Sequence, residues 1–143
     1  MTSNLPQAVR ELYVQFGPAI LDKLTDVYAD NIQFVDPLHT VDGIDAMRTY
    51  FAATTQGLDE CRFEFHRSLE QPEAGEAMLL WTMHYRHRKL AGGKLLSLAG
   101  SSHLRFADKV YYHRDYYDAG AMMYEHIPLL GGIIRHIKHR VAQ

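Results

Sequence analysis

His113 and Asp115 stand two residues apart in the stretch VYYHRDYYD, residues 110–118. Side chains at i and i+2 of a β-strand project from the same face. As a strand, this stretch therefore makes an imidazole and a carboxylate neighbours. That pair suits general acid–base chemistry: the imidazole titrates near neutral pH, and the carboxylate fixes its tautomer. The same alternation groups Tyr111 and Tyr117 with them. It turns Val110, Tyr112, Arg114 and Tyr116 the other way. A second carboxylate, Asp36, closes a short apolar run just before Pro37. Aspartate before proline is a turn signal. Asp36 either orders that loop or, at a pocket wall, acts as a base whose charge desolvation disfavours. His39 follows in the same loop, at a pocket mouth or in solvent.

The elements that must hold these groups follow from periodicity. Val9, Leu12, Tyr13, Phe16, Ile20, Leu21, Leu24, Val27 and Tyr28 recur at helical spacing, broken at Gly17-Pro18. Two helices meeting there, or one sharply kinked helix, are expected. A short strand, NIQFV, precedes Asp36, and a helix follows with Asp42 as its cap and Ile44, Met47, Tyr50 and Phe51 as its buried stripe. After Gly57 the pattern changes to long alternating strands. Cys61, Phe63 and Phe65 share one face of the first. Ala77, Leu79, Trp81, Met83 and Tyr85 share one face of the second. KLLSLAGSSHLRF is the third and VYYHRDYYD the fourth. The tail is helical at both ends and broken at Pro128 and Gly131-Gly132. Ile133, Ile134, Ile137 and Val141 form its apolar side and Arg135, Lys138 and Arg140 its basic side. Helices bunched before an antiparallel meander predict an α+β fold.

The chain has 143 residues and a formal net charge of −2. That length predicts one domain over residues 1–143, with 119–143 as a C-terminal helical extension. The charge supplies no field for nucleic acid. One cysteine, Cys61, permits no internal disulfide. Residues 1–13 lack a basic segment leading into an apolar run, and no stretch is long and apolar enough to span a membrane. A cytoplasmic location is expected. No metal site is expected, because no three or four ligands converge in the pattern. No cofactor is expected, and no Gly-rich phosphate loop is present. The basic tail is expected to pack on the sheet, close the pocket mouth or join a dimer interface rather than touch a membrane.

The segments YADNIQFVDPLHTVDGIDAMRTYF and SSHLRFADKVYYHRDYYD, in that element order, resemble the nuclear transport factor 2-like superfamily. The resemblance covers the chain to Asp118. It implies a cone-shaped α+β barrel, a curved antiparallel sheet wrapped around N-terminal helices, with a pocket inside. The superfamily includes ketosteroid isomerases, SnoaL-type polyketide cyclases, epoxide hydrolases and members without chemistry. By this resemblance Asp36 matches the isomerases' general base. Ser102 occupies the position of the acid that donates to their oxyanion, and Tyr13 is the nearest match to their catalytic tyrosine. The serine departs from the isomerase pattern and weighs against a steroid isomerase proper. The resemblance turns Tyr111, His113, Asp115 and Tyr117 toward the pocket, as in cyclases that move protons with a pocket aspartate.

The resulting expectation is a pocket protein for a small apolar organic ligand carrying a carbonyl or hydroxyl. Its proton-transfer residues would be Asp36, His113 and Asp115. Tyr13, His39, Trp81, Met83, Tyr85, Ser102 and Tyr117 would bind the ligand. The alternative is a non-catalytic ligand-binding or assembly member. Either is expected to be a homodimer through the outer sheet face. The polarity of VYYHRDYYD is explained on this view by a hollow core.

Overall fold

The computed structural model describes residues 4–124 and 136–142. Helix α1 spans Leu5–Tyr13 and buries Leu5, Val9, Leu12 and Tyr13 on one stripe. Asn4 caps it by accepting the Gln7 N–H at 3.2 Å, and Pro6 sits in the first turn, where no N–H is needed. The helix ends before Gly17-Pro18. A 3-10 segment, Pro18–Lys23, and the single turn α2, Leu24–Val27, follow. The break is the one predicted at that dipeptide. Helix α3 spans Ile44–Thr55 and buries Ile44, Met47, Phe51 and Thr55.

Six strands form one sheet: β1 Tyr28–Val35, β2 Thr40–Asp42, β3 Leu58–Gln71, β4 Glu76–His87, β5 Leu96–Phe106 and β6 Val110–Tyr117. Their order is β2-β1-β6-β5-β4-β3. All neighbours are antiparallel except β1 and β6, which run parallel. The fold is therefore α+β as expected, with a curved open sheet around the helices. The parallel pair and the three-residue β2 are additions to the expected meander. Asp42 lies in β2 and accepts from Gln33 Nε2 at 3.1 Å, so Gly43, at φ +93°, opens α3 in place of an aspartate cap.

The parallel pairing sets His113 opposite Phe34, while β5 sets it opposite Leu104. His113 is thus in the middle of the sheet. A register shift at the start of β6 corrects the predicted alternation. Phe106 pairs with Val110 and Arg105 with Tyr112, so Tyr111 has no residue opposite it. An extra residue of this kind resets the in–out parity of a strand. Val110 is buried inward and Tyr111 is 41% exposed, the reverse of the expectation for both. From Tyr112 onward the assignment holds: His113 is buried, Arg114 and Tyr116 are exposed.

Side chains fill the middle of the cone. Tyr13 stacks on Phe16 at 5.8 Å and meets Phe63 edge-on at 5.4 Å. Phe34 contacts Phe51 at 5.0 Å and His113 at 4.9 Å, and Phe63 contacts Trp81 at 4.8 Å. The expected hollow core is thus a core of rings, offset and edge-to-face as such pairs prefer. The break expected at Pro128 and Gly131-Gly132, and the apolar residues Ile133 and Ile134, lie outside the described residues. The helical segment 136–142 carries exposed Ile137 and Val141, and Lys138 Nζ meets Asp118 Oδ2 at 2.8 Å. Among the described residues no helix is long and apolar enough to cross a membrane.

Candidate functional site

His113 is 1% exposed, and both its ring nitrogens are engaged. Nε2 lies 2.7 Å from Asp115 Oδ1, and Nδ1 lies 2.7 Å from the Tyr28 hydroxyl. A carboxylate only accepts, so Nε2 carries the hydrogen. In the neutral ring Nδ1 then accepts from Tyr28. Tyr28 has one hydrogen to give, so its oxygen accepts from Tyr13, whose hydroxyl is 2.9 Å away. Burial pushes both phenols well above their ordinary range, and the Asp115 charge adds to the rise. They remain donors. The row Tyr13–Tyr28–His113–Asp115 joins α1, β1 and β6.

A second row reaches the same oxygen. Trp81 Nε1 donates to Ser102 Oγ at 2.9 Å, and Ser102 Oγ donates to Asp115 Oδ1 at 2.5 Å. The sheet register sets this up. Trp81 pairs with Gly100, and Ser102 pairs with Asp115. The indole lies across Gly100, where a Cβ would sit 2.3 Å from the ring. Only glycine leaves room for it.

Asp115 is 12% exposed and lines an open cleft of about 510 Å³ with Asp36, Pro37, Arg114, Tyr116 and Tyr117. Among the described residues, nothing hydrogen-bonds to Asp115 Oδ2 or to the Tyr117 hydroxyl, and neither is a buried orphan. The Tyr117 phenol is raised by burial and then by the charges of Asp36 and Asp115. It therefore stays protonated beside two carboxylates. Asp36 is arranged differently. Its Oδ1 accepts the backbone N–H groups of Leu38 and His39, each at 2.8 Å, and its Oδ2 accepts the Tyr50 hydroxyl. Burial and the bond to Asp36 raise the Tyr50 phenol.

Several predicted residues gather at this end of the cone. Asp36, Asp115 and Tyr117 line the cleft, while Tyr13, Trp81, Ser102 and His113 stand behind Asp115. His39 is exposed and lies on the Tyr50 ring at 4.8 Å. Met83 and Tyr85 lie apart from the cleft. Tyr85 packs with Cys61 and Leu98, and its hydroxyl donates to the Met122 carbonyl at 3.3 Å. Ser102 is not a free donor, because its single hydrogen is given to Asp115. Tyr28 and Tyr50 were not among the predicted site residues. The available signal was weak: each is an apolar-looking tyrosine in a helical pattern, and Tyr28 opens a strand instead.

A six-stranded sheet of this order around N-terminal helices is the fold of nuclear transport factor 2-like proteins. An NTF2-like protein of unknown function from Burkholderia pseudomallei K96243 superposes with a TM-score of 0.72 at 20% identity, over 85% of this chain and 95% of that one. A candidate SnoaL-like polyketide cyclase from Jannaschia sp. CCS1 gives 0.71 at 14% identity, over 83% and 88%. A hypothetical protein with a ketosteroid isomerase-like fold from Catenulispora acidiphila DSM 44928, crystallised with trimethylamine, gives 0.70 at 13%, over 92% and 95%. At these identities the likeness is one of fold. The chain belongs to the SnoaL-like domain family, whose model matches residues 9–113. No curated protein matches it in sequence.

Proposed function

We propose that this protein moves a proton on a small apolar organic molecule bearing a carbonyl or hydroxyl, as a cyclase or isomerase does, with Asp115 as the base. The observation that carries this reading is the division of labour within one carboxylate. Oδ1 is filled by two donors, whereas Oδ2 has no hydrogen-bond partner among the described residues, on a residue that lines the cleft. In the reaction a C–H bond next to the carbonyl breaks and its proton passes to Oδ2. The electron pair moves onto the carbonyl oxygen as an enolate, and the proton returns to the same or another carbon. Tyr117, kept protonated, would be the donor to that oxygen. Ser102 does not serve as that donor. Family membership and the cyclase-like fold of a structural neighbour agree with this class of chemistry.

The test uses 2-tetralone, an apolar cyclic ketone, and follows exchange of its α-protons for deuterium by NMR. Wild-type protein is expected to accelerate exchange over buffer. Asp115→Asn is expected to lose about 10²–10⁴-fold, the usual worth of a positioned base. Equal rates in the two proteins would overturn the reading. The packed interior favours one rival, a non-catalytic binder. That rival predicts saturable binding of 2-tetralone with exchange no faster than in buffer.

A further inference from the structure

We propose that Trp81 and Tyr28, which do not line the cleft, are positioning residues that hold Asp115 by Oδ1 and thereby reserve Oδ2 for the substrate. The inference rests on the reading of Asp115 as base. Its chemistry follows from donor and acceptor counts. An indole N–H can only donate. Ser102 Oγ must therefore accept from Trp81, and its one hydrogen is left for Asp115. On the other side, Tyr13 gives to Tyr28, Tyr28 gives to His113 Nδ1, and His113 Nε2–H gives to Asp115. Both in-plane lone pairs of Oδ1 are then occupied, so an incoming proton is directed to Oδ2.

The arrangement has a second consequence. When Oδ2 takes a proton, Oδ1 becomes a carbonyl oxygen, which still accepts from both partners. No donor in either row has to turn. The base is therefore preorganised in both of its states, and preorganisation of this kind lowers the cost of the reaction step. Trp81 and Tyr28 are each nearly fully buried, at 3% and 1% exposed, so water does not compete for their polar atoms.

The chain has one tryptophan, so its indole N–H resonance in a ¹⁵N-labelled sample is unambiguous. That resonance is expected to shift in Ser102→Ala, to stay close to wild type in Ser102→Thr, and to shift in Asp115→Asn. Asp115 bonds the serine and not the indole, so the last shift travels through the row. An indole resonance unmoved in both Ser102→Ala and Asp115→Asn would overturn the inference. The kinetic arm compares Trp81→Phe and Tyr28→Phe in 2-tetralone exchange; the second loses only its hydroxyl, and the first loses the indole N–H together with part of the ring. Both are expected to lower kcat about tenfold with KM unchanged, the scale of one lost hydrogen bond. A raised KM with kcat intact would make Trp81 and Tyr28 mere lining and overturn the assignment. If Asp115→Asn left exchange untouched, the base reading would fall, while the indole shift in the same variant would still report the clamp.

Discussion

The cleft has two carboxylates, and they are held in opposite ways. Asp36 is tied by its own loop. Two of its three donors are backbone N–H groups two and three residues away, and the third is Tyr50 on α3. Both of its oxygens are occupied. Among the described residues Asp115 has no backbone donor, and its one near partner is the His113 side chain two residues away. Its donors reach it from β5 and from His113, and behind them stand α1, β1 and β4. One oxygen is saturated and the other is left open. An aspartate whose oxygens are all taken orders a turn. An aspartate held by one oxygen, with the rest of the fold as its support, keeps its other oxygen available for the proton exchange proposed above. The expectation that Asp36 is a base came from its match to the isomerases' aspartate, and its place before Pro37 carried the other expectation, that it orders the loop; its bonds to the Leu38 and His39 N–H groups agree with the second.

The largest expected effect separates the two carboxylates directly. Asp115→Asn is expected to reduce 2-tetralone exchange by about 10²-fold or more, and Asp36→Asn by less than about tenfold. An asparagine at position 36 still accepts the two backbone hydrogens, so the loop keeps its form. Steady-state exchange rates of the two variants measured side by side decide the matter. Equal losses would mean that both carboxylates touch the reacting proton.

Next in size is Gly100→Ala, which acts only on the Asp115 side. The added Cβ meets the indole at 2.3 Å, so Trp81 must move off Ser102. Overpacking of this kind costs about 1–3 kcal/mol. The unfolding free energy from urea titration should fall by that amount, and exchange activity should fall beyond what the lost folded fraction explains. A variant with wild-type stability and activity would show that the indole–serine row carries no weight.

Much of this site was legible in the chain, and the remainder was hidden for physical reasons. Strand alternation placed His113 and Asp115 together and turned Arg114 and Tyr116 outward, because the period of two depends only on local backbone geometry. The same rule failed at Tyr111, where one unpaired residue shifted the parity. Beyond the His113–Asp115 pair, the polar rows could not be read. Tyr28 and His113 are 85 positions apart, Trp81 and Ser102 are 21 apart, and Ser102 and Asp115 are 13 apart. Such meetings depend on the β1–β6 parallel pairing and on the β4–β5–β6 register, neither of which leaves a local mark. The packed interior was hidden for a related reason. Alternation shows which rings point inward, but not whether they meet across the cone.

A smaller contrast lies in the phenols behind each carboxylate. Tyr28→Phe leaves His113 Nδ1 buried without its donor, at a cost of about 1–3 kcal/mol. Tyr50→Phe removes a donor from Asp36 at a half-buried position that water reaches, so a cost of about 1 kcal/mol is expected. Urea unfolding of the two single variants measures the difference. A larger loss in Tyr50→Phe would reverse the assignment of Asp115 as the deeply supported member of the pair.

The smallest effect is in alkali, and it tests the same contrast by charge. Tyr13, Tyr28, Tyr50 and Tyr117 are all raised above their ordinary value, chiefly by burial, and Tyr85 is pushed up to about 12. Below about pH 10 these phenols are protonated in both folded and unfolded chains, and their contribution to stability is complete. Above it the unfolded chain ionises first, so the native state binds more protons and stability falls as pH rises. Tyr28 is enclosed and Tyr50 is half-buried, so Tyr28→Phe should flatten this decline more than Tyr50→Phe does. The urea midpoint followed from about pH 8 to about pH 11 gives the two slopes. If Tyr50→Phe flattens the curve as much, water reaches the tyrosine row behind Asp115 as freely as it reaches Tyr50. The supports of the two carboxylates would then differ in hydrogen bonding alone and not in burial.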